Sequence, residues 1–177
     1  MKLFSFLFLL CISLHTKSQT SVGVTMNGIG NLKIGMKLVD VEKLAGAPLK
    51  LNNILKDDWN FDTIATRING INFKLVFSRD YADEKKYDVT LREVSSSDSS
   101  LKTKSGITIG DDKLKIINTY EGYTIWIVPD YENDYTVRSK TRTTIFLFGD
   151  NSGNTILFHL FMNKIESMSV SISEGYD

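Results

Sequence analysis

The chain has 177 residues, and its 21 basic side chains are balanced by 21 acidic ones, which argues against the clustered positive charge of a nucleic-acid footprint. With one cysteine and two histidines, it cannot assemble a disulfide framework or a zinc cluster. Its length suits one domain able to bury a core without staples.

In chain order, the first segment pairs the basic Lys2 with an apolar run from Leu3 to Leu14 and ends on Thr16 and Ser18 at small-residue cleavage positions. This predicts a secretory signal peptide over residues 1–18. The run is too short to cross a bilayer, and no other stretch is long enough, so no membrane span is expected. Cys11 follows Phe8, Leu9 and Leu10 rather than the small residues of a lipidation site, and it reads as a small apolar residue of that run. Cleavage leaves 159 residues, 177 less 18, with no cysteine and with His159 as the only histidine. Lys2 and Lys17 also leave, so 19 basic residues face 21 acidic ones, a net charge of −2. That inventory excludes a thiol nucleophile, and a Ser/His/Asp site would have to use His159.

Internal similarity organises the remainder. Asn31-Leu32-Lys33-Ile34-Gly35 recurs as Gly106-Ile107-Thr108-Ile109-Gly110, 75 positions later. With one extra residue in the second copy, Leu38, Val41, Leu44 and Gly46 match Leu114, Ile117, Tyr120 and Gly122. Apolar residues three apart, then a glycine, predict a short amphipathic helix with a C-terminal stop. Asp111 or Asp112 supplies an N-cap in the second copy, whereas the first has none.

After each helix the period changes to two. Ile71, Phe73, Leu75 and Phe77 predict a strand behind an Asn69-Gly70 hairpin turn, with Val89, Leu91 and Val94 in the next strand. In the second half, strands are expected over Thr124 to Val128, Thr143 to Phe148, Thr155 to Met162 and Ile165 to Ile172, with turns at Gly149 to Gly153 and at Asn163-Lys164. Neither Pro48 nor Pro129 falls inside a proposed strand. Loops are expected from Tyr81 to Tyr87 and from Asp130 to Lys140, and the serines from Ser95 to Ser100 join the two halves. The expected fold is α+β. Residues 19–177 form one domain of two helix-plus-strand repeats, about 28–95 and 103–172, giving a single antiparallel sheet with short helices on one face.

Leu32-Lys33-Ile34-Gly35-Met36, followed by Val41 and Leu44-Ala45-Gly46-Ala47-Pro48, resembles the signature of the SmpA/OmlA and β-lactamase-inhibitor-like (BLIP-like) proteins. Thr103 to Gly110 resembles the start of a second repeat in tandem members. The resemblance covers about Gly28 to Ile172. It implies a curved antiparallel sheet with helices against it, acting by noncovalent contacts in the cell envelope or outside the cell, and it carries over no catalytic residue. The chain has neither the lipidated cysteine of the envelope-assembly members nor the disulfides of the secreted inhibitors.

Motifs with chemical associations read as structure. Ser99-Ser100-Leu101-Lys102 spells S-x-x-K, but in a connector with no helix to hold it. Asp150 to Asn154 opens like a calcium loop, yet Phe161 stands where a bidentate glutamate is needed, so a hairpin turn is expected. Gly28-Ile29-Gly30 has Lys33 at the third-glycine place of a dinucleotide fingerprint, so it reads as a flexible lead-in to the first strand. Asp57-Asp58 and Asp111-Asp112 are sequence neighbours that do not converge on one substrate. His159 alternates with Leu157 and Phe161, as a sheet-face residue does.

Aromatic residues make up 11% of the chain and are the candidates for recognition, since Trp and Tyr bury much area with few torsions to freeze. Trp59, Tyr81, Tyr87, Tyr131 and Tyr135 lie in or beside the expected loops. The functional expectation is an exported binding protein, not an enzyme, without cofactor or metal. Its sheet face and loops, including Trp126, Tyr131, Tyr135 and His159, contact a protein or another envelope component. The alternatives are an assembly factor holding an envelope complex together and a hydrolase built from carboxylates and serines.

Overall fold

A computed structural model describes residues 21–52, 61–83, 86–132, 136–149 and 153–173. The signal segment, Trp59, Tyr135 and the centre of the expected turn from Gly149 to Gly153 lie outside the described residues.

Alternating side chains and tight turns build a seven-stranded antiparallel sheet. Its members are β4 (Phe61–Ile68), β5 (Ile71–Asp83), β6 (Lys86–Ser96), β8 (Ile125–Tyr131), β9 (Arg138–Phe148), β10 (Asn154–Phe161) and β11 (Lys164–Ile172), in the order β4-β5-β6-β11-β10-β9-β8. Asn69 and Gly70, with φ of 51° and 85°, form the left-handed pair that a two-residue hairpin requires. The last hairpin turns on Met162 and Asn163, with φ of 48° and 63°, one residue earlier than expected. One inner row runs through every strand: Ile64, Leu75, Val94, Val170, Ile156, Leu147 and Ile125.

The expectation of a single sheet is corrected. The glycine-rich segment after residue 21 folds into β1 (Val22–Thr25), β2 (Gly28–Ile29) and β3 (Leu32–Lys33), and β7 (Leu101–Thr103) joins β1 in parallel, giving a second sheet ordered β3-β2-β1-β7. Gly28 is a fixed part of it rather than a flexible lead-in. Its φ is 143°, and a Cβ there would stand 2.0 Å from the Leu32 carbonyl oxygen, so only glycine fits.

The two helices are α1 (Leu38–Ala45) and α2 (Lys113–Thr119). As expected, α1 lacks a side-chain cap and stops at Gly46 in the left-handed region, while the Asp112 carboxylate accepts from the Lys115 amide at 2.9 Å. Two details differ. α2 ends at Tyr120 rather than Gly122, and its buried positions are Ile116 and Tyr120, while Leu114 is exposed. The Asp112 cap sets the phase of α2, whose buried Ile116 lies 75 positions after the buried Val41 of α1 rather than at the expected spacing of 76. Tyr120 donates its hydroxyl to Thr103 Oγ1 at 2.9 Å and packs against Phe158.

Both helical segments dock on the large sheet in the same way. Gly35 donates its amide to the Leu91 carbonyl and Leu91 donates back to Met36, both at 2.8 Å; Gly110 and Ile165, with Asp111, repeat this at 2.9 Å. The helices and the small sheet share one core with the inner face of the large sheet.

Three further expectations shift. Pro129 lies inside β8, tolerated because β8 is an edge strand and needs no donor on its open side. The expected loop from Tyr81 to Tyr87 is mostly hairpin strand, and the one from Asp130 to Lys140 is strand at both ends. The serine connector is strand at Ser95 and Ser96, then a turn in which the Asp98 carboxylate accepts from the Ser100 amide and hydroxyl.

Candidate functional site

Helices and the small sheet cover the inner face of the large sheet, and the side chains of opposite parity form its outer face. The middle outer row begins on the polar side with Lys74, Ser95 and Ser169 and continues through Leu157 and Phe146 to Trp126. A second row carries Val76, Glu93, Ser171, Thr155 and Phe148. Phe146 and Phe148 stack at 6.4 Å between centroids, and Trp126 meets Phe148 edge-on at 4.8 Å. The result is a partly exposed aromatic patch beside a charged one.

A bulge creates the charged part. Val76 pairs with Glu93 and Phe77 with Leu91, so Arg92 is an extra residue in β6, and a bulge re-aims its side chain. Arg92 lies 5.0 Å over the Phe61 ring. Burial pushes the Glu93 carboxyl above its ordinary range, against the pull of Lys74 and Arg92. Glu93, Arg92, Phe146, Phe148, Thr155 and Leu157 line a hollow of about 260 Å³, and a second of about 370 Å³ lies by Lys74, Ser95 and Glu166. Thr155 is 3% exposed and its hydroxyl has no hydrogen-bond partner among the described residues.

His159 stands in the third outer row, between Ser167 and Thr144. Its Nδ1 lies 3.2 Å from Thr144 Oγ1 and its Nε2 lies 2.9 Å from Ser169 Oγ. Thr144 commits its proton to Asp130 at 2.8 Å, so Nδ1–H donates to Thr144, and Nε2 accepts from Ser169. Burial lowers the ring's pKa below 6.5, and Asp130 pulls the other way. The Ser169–His159 pair has the spacing of an activated hydroxyl, but Ser169 is 0% exposed, out of reach of a substrate. The chain Asp130–Thr144–His159–Ser169 therefore works as a cross-strand tie.

Of the four sequence candidates, Trp126 and His159 share the outer face, Tyr131 is exposed at the end of β8, and Tyr135 lies outside the described residues. Ser99 and Lys102 of the S-x-x-K motif occupy a turn and strand β7, not a helix. The aromatic neighbours Phe146 and Phe148, the adjoining Leu157 and the pair Arg92 and Glu93 were not singled out by sequence. The signals were present: β9 and β10 are apolar on both faces, and Leu91 and Val94 are three apart where alternation requires two.

Among the described residues no cluster of three or more His, Cys, Asp or Glu could hold a metal ion, and no helix is long and apolar enough to cross a membrane. Comparison with family models, curated proteins and solved structures finds no match.

Proposed function

We propose that this is an exported, non-enzymatic binding protein, built from two copies of one helix-plus-strand unit, whose outer sheet face holds an apolar segment of a partner protein in the envelope or outside the cell. The observation that carries this reading is the outer-face patch of Trp126, Phe146, Phe148 and Leu157 beside the Arg92–Glu93 hollow. Aromatic anchors ringed by polar groups are the usual composition of a contact surface. The matched docking of Gly35 on Leu91 and Gly110 on Ile165 supports the two-copy origin, and the resemblance to BLIP-like proteins supports noncovalent action.

The buried Ser169 hydroxyl favours binding over hydrolysis. The test is affinity capture from envelope and secreted fractions with the chain from Gln19, beside a Trp126→Ala/Phe148→Ser variant of unchanged thermal midpoint. A partner held by the wild type and lost by the variant supports the reading; equal retention by both would overturn the assigned surface.

A further inference from the structure

β8 ends the seven-stranded sheet, and among the described residues no strand lies beyond it. The phase of its hydrogen bonding follows from one contact: the Phe148 amide donates to the Thr124 carbonyl at 3.1 Å. Alternation then turns the main-chain groups of Thr124, Trp126 and Val128 toward β9, and those of Ile125 and Ile127 toward the open side. Pro129 faces the same side with a carbonyl and no amide.

Edges left in this state usually carry charges or prolines as guards. Pro129 is the one such guard in residues 125–129, which contain no charge, and Trp126, Ile127 and Val128 are 45%, 40% and 39% exposed, so both faces of the strand ahead of the proline are apolar and wet. The opposite edge is treated differently. Its edge strand β4 carries the charged Asp62 and Arg67, and the buried Asp62 carboxylate accepts the Asn52 amide.

We infer that β8 is a homodimer edge, two copies pairing antiparallel about a two-fold axis at Ile127 to join their sheets into one. That register matches the strand with itself. Ile127 meets the other copy's Ile127, with each amide donating to the opposite carbonyl. The Ile125 amide donates to the other copy's Pro129 carbonyl, and the missing proline amide leaves one acceptor short on each side. On the outer face Trp126 packs against Val128, an aromatic–β-branched pair of the favoured kind. A register moved by one residue, with the axis at Trp126, sets Val128 against the polar Thr124. A second copy is therefore the occupant that answers the exposed Trp126, Ile127 and Val128 together, with no charge facing a like charge. The inference goes beyond the proposed partner binding, and its test involves no partner, so either can fail alone.

Two-fold symmetry makes the test specific, because residue 127 faces itself. The chain from Gln19 is followed by sedimentation equilibrium from micromolar to hundreds of micromolar concentration. The wild type should rise from one chain mass toward two. Ile127→Lys and Ile127→Glu, with unchanged circular dichroism, should each weaken association by about tenfold or more through like-charge opposition, and mixing them should restore the dimer. Should either charged variant misfold, Ile127→Cys serves: the exported chain has no other thiol, and facing positions in a paired ladder lie within disulfide reach. Mild oxidation should then give a covalent dimer. A wild type that stays monomeric throughout, charged variants that dimerise as well as the wild type, a folded mixture that stays monomeric, or an Ile127→Cys chain that oxidation leaves uncrosslinked would each overturn the inference.

Discussion

His159 shows how one side chain can tie three strands and set a pH dependence. Burial lowers its pKa in the fold below the 6.5 of the free side chain, so the folded state favours the neutral ring and the unfolded chain takes up protons first. Stability from this group is fully present above 6.5, declines as pH falls through 6.5 toward the folded value, and is level below that. Glu93 runs the other way: its pKa is raised above 4.5, so its burden is relieved as pH falls through the raised value. Urea unfolding of wild type and His159→Gln between about pH 7 and pH 5 should give curves whose difference shrinks toward acid; curves that stay parallel would show a ring titrating as in the unfolded chain. Thr155 offers a second residue-scale test. Its buried hydroxyl lacks a partner among the described residues, so Thr155→Val, nearly equal in shape, should raise unfolding free energy by about 1 kcal/mol. Sequence alone shows His159 on a sheet face, since alternation fixes parity. It does not show Thr144 and Ser169 flanking the ring, because strand register brings them there.

At the scale of elements, capping was legible and helix phase was not. An aspartate before an apolar spacing of three marks an N-cap by its chemistry, and Asp112 fulfils that role. The buried stripe went to Ile116 rather than Ile117, because a helix as short as Lys113–Thr119 gives an apolar pattern too few turns to choose between adjacent phases. Asp112→Ala should cost about 1 kcal/mol, and Lys37→Ser, which adds the missing cap to α1, should gain about half as much or more. The Lys37–Asp88 ion pair lost with it is exposed, and it offsets only a few tenths of a kcal/mol at about the median for such pairs. Thermal unfolding of the two variants should move in opposite directions. The small sheet is not legible in the sequence because strands such as Gly28–Ile29 and Leu32–Lys33 have no room for a period of two, and β1 pairs with β7 from the far half of the chain. The bulge at Arg92 was legible only as a break in alternation, whose meaning depends on the partner strand.

Across the whole molecule, the two halves of the chain share both sheets. β6 of the first half pairs with β11 of the second, and β1 pairs with β7, so both sheets are sewn across the midpoint of the chain. The inner row passes through Leu75, Val94, Val170 and Ile156 without a break, and the buried apolar residues of both halves form one cluster. A residue buried in one half therefore supports the other. Leu75→Ala, at a fully buried site on β5, should cost about 2–5 kcal/mol. In a chain carrying Trp126 as its only tryptophan, fluorescence reports from β8, at the far edge of the sheet from β5. If the core is continuous, fluorescence and far-ultraviolet circular dichroism shift together to one lower midpoint, as a two-state unit requires. A Trp126 transition that stays at the wild-type midpoint while the circular dichroism midpoint falls would mean that the halves melt separately, leaving the β6–β11 seam a contact between domains rather than the centre of one.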